Sequence, residues 1–304
     1  MASQGYRAGR PASWTARRRL SAALWRRPWL RAIALLVPPL GWMIVFYLSA
    51  LAVLFVSAFW SLDAFTGKIT HVWTWSNFDT IIHDSTYRQI AFRTIWMAAA
   101  VTVTDAVIAF PFAYFMARVA GPRTRTLLFV LVLLPLWSSY LVRIYAWRLI
   151  LSGGGVLNWT LNALGLPDAN LAFTNWAMWI VFSYVWLPFM VLPVYASLER
   201  IPDSYIEASR DLGARSRTTF RRVVLPLALP GVVAGSIFTF SLTLGDYITP
   251  SLVGNVDFIG NVIYRNVLGL TNNVPFAAAY ATVPLVVMAI YLTLAKRLGA
   301  FEAL

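Results

Sequence analysis

The stretch Asp203–Gly231 reads DSYIEASRDLGARSRTTFRRVVLPLALPG and lies between two long apolar runs. Ser204 followed three residues on by Glu207 has the pattern of a capping box, so a helix is expected to begin there. It runs through Ala208, Ser209, Asp211 and Leu212. Gly213 is placed to end it, because glycine accepts the left-handed backbone that closes many helices. A second short helix is expected around Thr218, Thr219 and Phe220. Leu225-Pro226 is expected to stop it, since proline lacks an N–H and restricts the residue before it. The product is a helix, a glycine elbow and a second helix on the water side of a membrane.

The membrane follows from composition. Of 304 residues, 59% are hydrophobic and 12% charged, whereas soluble domains carry about 25% charged residues. Six apolar runs, roughly 32–61, 90–117, 126–150, 175–198, 227–250 and 276–296, meet the length of about 20 residues that a bilayer requires. These predict an all-α integral membrane protein with six transmembrane helices. The organisation is a basic tail over 1–31, a permeation domain over 32–298 with the polar loop at about 199–226, and a short end over 299–304. A signal peptide is the rival reading of the basic start. The run after it is too long for that and lacks a clear small-residue cleavage site.

Net charge is +13, and nineteen of the 25 Lys and Arg residues fall in the tail, the 118–125 turn, the 200–222 stretch and Lys296-Arg297 at the close of the final run. The intervening loops are poor in them. Basic residues mark the cytoplasmic side, so both termini and the Asp203 stretch are expected there, in a multi-pass plasma-membrane protein. The tail also suits contact with anionic lipid. The tryptophans of the outer loops suit the aromatic belt at a membrane interface.

Glu207-Ala208-Ser209, Gly213-Ala214, Leu225-Pro226 and Pro230-Gly231, at their spacing, resemble the EAA loop of ABC importer permeases. Ser209 departs from the second alanine usual there, a small-for-small change. The resemblance implies the type I importer permease fold. It implies that the loop docks in a separate ATPase subunit, which uses ATP and Mg, so this chain holds no cofactor. The docking residues would be Glu207, Ala208, Ser209, Asp211, Leu212, Gly213, Ala214, Leu225 and Pro226. Further stretches, Leu127–Leu157, Leu187–Pro193, Gly245–Pro250, Gly260–Ile263 and Pro275–Ala279, resemble the spermidine/putrescine (PotB-type) branch. That branch implies a second, related permease chain as heterodimer partner and an extracytoplasmic polyamine-binding protein. Relatives carry other solutes, so sulfate, iron, an amino acid or another small molecule remain alternatives.

A polycation path calls for carboxylates and aromatic faces, the latter through cation–π attraction. Ionisable groups within spans are costly and usually face the bundle interior. Asp105, Trp137, Tyr140, Asp246 and Tyr247 fit that description. Two readings stay open for Asp246, an internal ion pair with Arg143 or a place on the path. Gly231 and Gly235 form a small-xxx-small pair suited to close helix packing.

Other classes lack their residues. There is no cysteine, and His71 and His83 are a weak metal pair. Gly67-Lys68 lacks both the earlier glycine and the following Ser or Thr of a phosphate loop. No GxSxG or HExxH pattern occurs, so no catalytic constellation is expected. Basic residues are not interleaved with a stacking platform, which sets nucleic acid aside. A self-contained secondary transporter or channel has no need of an ATPase-docking loop, and no repeat between the halves is evident.

Overall fold

The structure, a computed structural model, describes residues 28–63, 65–269 and 271–297. Most of the basic tail, residues 1–27, and the end, 298–304, lie outside the described residues. The chain divides into two units, Met1–Val56 and Ser57–Leu304. In the first, helix α1 (Pro28–Trp42) contains Pro38 and Pro39 and widens into a π-turn, Met43–Leu48. Helix α2 (Ser49–Ser57) follows it to the boundary.

The second unit opens with a small antiparallel hairpin, β1 (Ser61–Leu62) on β2 (Ile69–Thr70), with Ser61 opposite Thr70. Then come α3 (Ser76–His83) and α4 (Ser85–Tyr114), which a π-turn prolongs through Phe115–Val119. Next are α5 (Pro122–Leu133), α6 (Tyr140–Leu151), α7 (Val156–Ala163) and α8 (Asn175–Glu199). The polar stretch forms α9 (Asp203–Asp211) and α10 (Ser216–Thr219), and α11 (Leu225–Gly245) follows. The chain ends through α12 (Ile248–Val253), α13 (Ile259–Leu268) and α14 (Val274–Arg297).

Sequence pattern explains which helix is central. Helix α8 is apolar almost all round and buries residues on every face, such as Met178, Val181, Phe182, Val185 and Val194. Such a helix belongs inside a bundle. It packs against α4 and α11. Helix α4 has two distinct faces. Ile90, Thr94, Met97, Val101, Asp105, Ala109 and Ala113 recur every three or four residues and are buried. Phe92, Trp96, Val103 and Val107 are exposed on the other side, as a lipid-facing surface would be.

Helix α11 meets α8 along a seam of small residues. A Cβ on Gly231 would lie 2.5 Å from Ser197 Cβ and 2.6 Å from the Pro193 carbonyl oxygen. On Gly235 it would lie 2.7 Å from Met190 Sδ and 3.0 Å from Met190 Cα. The contacts with backbone atoms cannot yield to a side-chain rotation. Gly235→Leu is therefore expected to destabilise the protein by about 1–3 kcal/mol through overpacking. A fall in the thermal unfolding temperature of the purified protein would check this.

Among the described residues, five helices are long and apolar enough to cross a membrane: Leu35–Ser57, Ser85–Val119, Asn175–Glu199, Ser216–Gly245 and Val274–Arg297. The expected third span is not one straight helix. Pro122–Trp137 and Tyr140–Ala163 meet at 95° and amount to a sixth span only if the bent pair is counted as one. The cause is local. Pro135 sits in a tight 3-10 turn, Leu134–Trp137, and Ser138 leaves it in an extended conformation. Ser138 Oγ donates to the Pro135 carbonyl at 2.7 Å, satisfying an acceptor at the break. The fifth span also ends earlier than expected, at Gly245, and Thr249-Pro250 belong to the short α12.

Candidate functional site: a helix–glycine–helix segment and a buried carboxylate

Helix α9 begins at Asp203, with Pro202 as the residue before it and no side-chain cap bond. The capping box expected of Ser204 and Glu207 is therefore not formed. Proline at 202 fixes the entry backbone, and Asp203 in the first turn takes up a different partner, described below. The other end is as expected. Gly213 has φ +76°, its N–H bonds the Arg210 carbonyl at 2.8 Å, and Ala214 N–H bonds the Ser209 carbonyl at 3.1 Å. This paired pattern is a Schellman closure. Ser209 Oγ and Thr219 Oγ1 lie 2.9 Å apart and tie α9 to α10.

Leu225-Pro226 does not stop the second helix. Ser216–Gly245 is continuous because a π-turn, Phe220–Val224, precedes the proline and Leu225 N–H bonds the Phe220 carbonyl. A widened turn accommodates a ring that an ordinary α-turn would clash with. Glu207, Ala208, Asp211, Leu212, Gly213 and Pro226 are exposed, whereas Ser209, Ala214 and Leu225 are partly buried. Leu212 is 89% exposed at the tip.

The segment is anchored to the bundle by residues that sequence reasoning used only as topology marks. Arg118, at the end of α4, donates to Asp203 Oδ1 at 2.7 Å and to the Leu198 and Ile201 carbonyls at 2.7 and 2.5 Å. Arg125 donates to the Met116 and Ala117 carbonyls and lies 3.6 Å from Glu199. The Phe220 ring meets Phe110 and Tyr114 edge-on, with centroids 5.7 and 5.8 Å apart. No local signal could have found these contacts, since Arg118 and Asp203 are 85 residues apart.

The interior holds the other predicted residues. Asp105 is fully buried on the α4 seam. Neither carboxylate oxygen, nor Ser183 Oγ or Trp186 Nε1 on α8, makes a hydrogen bond of full geometry, but Ser183 lies close enough to interact with the Asp105 carboxyl. One turn away, Thr102 receives a 3.4 Å bond from Thr239 on α11. Asp246 is buried too but fully engaged. It accepts from Tyr140 Oη, from Thr249 Oγ1 at 2.7 Å and from Ile248 N–H at 2.8 Å. The ion pair with Arg143 is not formed. Tyr140 and Arg143 share a face of α6 at i, i+3, and the shorter tyrosine takes the carboxylate. The Arg143 guanidinium instead lies 5.8 Å from the Tyr140 ring centroid, with Nε and Nη1 buried and unpartnered. Tyr140 also stacks on Trp186 at 5.5 Å. Trp137 is 82% exposed at the bend between α5 and α6. Tyr247 stacks on Tyr264 at 4.5 Å. Tyr140 and Asp246 are therefore brought together, while Trp137 and Tyr247 stand apart from that contact.

Comparison with known proteins settles the family. Residues 109–300 match the family described as binding-protein-dependent transport system inner membrane component. The chain belongs to that family. The permease is 45% identical over 300 residues to the inner membrane ABC transporter permease protein YdcU of Escherichia coli K12, covering 94% of this chain and 95% of that one. It is 34% identical over 263 residues to the spermidine/putrescine transport system permease protein PotB of the same organism, covering 85% and 94%. Its fold is that of a chain in a bacterial ABC transporter that imports the acidic polysaccharide alginate. The TM-score is 0.69 at 19% identity, covering 92% of this chain and 99% of that one. A second match is to the MetNI methionine ABC transporter in inward-facing conformations, with TM-score 0.54 at 18% identity, covering 72% and 96%. The permease is thus a multi-pass inner-membrane subunit of an ABC importer, a family that works with an ATPase and a substrate-binding protein.

Proposed function

We propose that this permease moves polyamines inward across the plasma membrane, with Asp105 as the carboxylate on the path. The observation that carries the reading is the buried carboxyl of Asp105 in the α4 seam facing α8, which has Ser183 nearby and no cationic partner among the described residues. Holding that carboxyl in its charged form costs several kcal/mol in desolvation, a cost that a cation beside it offsets. A flexible polycation supplies such a partner when the helices part. Tyr140 and Trp186, stacked on one another, offer aromatic faces within the bundle. Asp246, held by three donors, organises the junction of α6, α11 and α12, with Tyr247 and Trp137 toward the path's ends. The 34% identity to PotB supports the solute class.

In this reading α9 and the Gly213 elbow dock on the ATPase, which binds ATP and Mg. Both termini are cytoplasmic. A related second permease chain completes the pathway, and an extracytoplasmic polyamine-binding protein delivers the solute. The test is uptake by the complete complex in liposomes, with labelled putrescine and spermidine against sulfate and an uncharged sugar. ATP-dependent uptake of the polyamines alone is the expected result. Equal or greater uptake of sulfate would discard the polyamine assignment.

A second reading rests on Arg143, whose buried guanidinium nitrogens lack partners. An unpaired cation on α6 favours a solute that also bears an anionic group, such as an amino acid. Adding an amino-acid mixture as competitor in the same assay separates the two. Inhibition of polyamine uptake would favour this second reading.

A further inference from the structure

We propose that Arg118 is a positioning residue that transmits movement of α9 to helix α4. The proposal rests on the docking reading of the α9 segment and adds the route by which its movement enters the bundle. The Arg118 side chain is only 12% exposed. One guanidinium nitrogen donates to Asp203 in the first turn of α9 at 2.7 Å. Another donates to the Leu198 and Ile201 carbonyls at 2.7 and 2.5 Å. Leu198 lies in the last turn of α8 and Ile201 two residues beyond its end. A single planar group thereby joins the end of α4, the end of α8 and the start of α9.

The chemistry selects arginine. A guanidinium presents its donors in a rigid fork, so a carboxylate on one side and two carbonyls on the other are held at fixed angles. Lysine offers a point charge on a flexible stem and cannot fix all three. The base of the fork is also unusual. Arg118 belongs to the π-turn Phe115–Val119, where helical bonding departs from its normal register and a helix can adjust. Arg125 satisfies the Met116 and Ala117 carbonyls within that turn. Displacing α9 pulls on Asp203, and through the fork it pulls on α4, the helix that carries Asp105. Phe220 packed edge-on against Phe110 and Tyr114 gives the same helix a second, apolar contact with the segment.

The test measures solute uptake and ATP hydrolysis separately in the reconstituted complex and takes their ratio. Arg118→Ala and Arg118→Lys are expected to lower solute moved per ATP about tenfold, on the scale of losing charged hydrogen bonds. Asp203→Asn, at a side chain 82% exposed, is expected to lower it about threefold, and to leave assembly intact. The double variant should be no worse than Arg118→Ala alone, because both act through one contact. An unchanged ratio in Asp203→Asn and Arg118→Lys would overturn the proposal. So would a double variant whose loss is the product of the single losses. Crosslinking of a Leu212→Cys permease to the ATPase separates this from failure of the docking reading. Crosslinking with unchanged ratios sinks only the role of Arg118, whereas no crosslinking in the otherwise unmodified permease sinks the docking itself.

Discussion

Asp105→Asn is expected to lower polyamine uptake about tenfold or more while leaving the thermal stability of the permease unchanged or slightly raised. The two halves of that result have one cause. Asp105 is completely buried, and among the described residues its carboxyl has only Ser183 as a polar neighbour and no cation. Removing the charge relieves a desolvation cost, so the fold loses nothing. The same change removes the group that would meet a passing ammonium, and a hydrogen bond to a charged group is worth about 1.5–3 kcal/mol, enough for a factor of ten or more. Initial uptake rates and unfolding temperatures, measured on the same preparations, check both halves. Uptake at the unmodified rate would remove Asp105 from the path. Asp246→Asn should differ in its effect on stability. Its carboxylate accepts from Tyr140, Thr249 and Ile248, so that variant is expected to lose stability as well as transport.

Gly213→Pro is expected to abolish ATP-driven uptake while the spans still insert. Gly213 sits at φ +76°, whereas proline is held near −65° and has no N–H. The Schellman closure would lose the Gly213 N–H bond to Arg210, and α10 would leave the elbow in another direction. Nothing lies within 4 Å of a Cβ built on Gly213, so crowding plays no part. Gly213→Ala therefore isolates the backbone term, which is about 1–2 kcal/mol for a left-handed residue. It should retain measurable uptake where Gly213→Pro does not. Equal uptake in all three proteins would show that the elbow transmits nothing.

Much of this was legible in the sequence because it is local. The apolar runs marked the long helices, and Gly213 announced an elbow because few other residues tolerate its backbone. Gly231 and Gly235 announced close packing, and the structure shows which helix they meet. Other features depend on what lies across the bundle. Pro226 reads as a helix stop until the π-turn ahead of it is seen. The bend after Pro135 is hidden in an apolar stretch long enough for one span. Asp246 pairs with a tyrosine one turn before the arginine that charge alone would choose. Arg118 counted as one more basic residue beside a span, although it bonds a carboxylate 85 residues away.

The most direct test of the account uses the absence of cysteine from the chain, which makes any introduced thiol unique. Leu212→Cys places one at the tip of α9, where the native side chain is 89% exposed. Trp73→Cys, at a side chain 61% exposed, places one beyond the opposite end of α4. In the complete complex, the cysteine at 212 is expected to crosslink to the ATPase subunit with a yield that changes when ATP binds, and the one at 73 is not. Crosslinking of the ATPase at 73 and not at 212 would put the ATPase on the other side of the bundle and contradict the account.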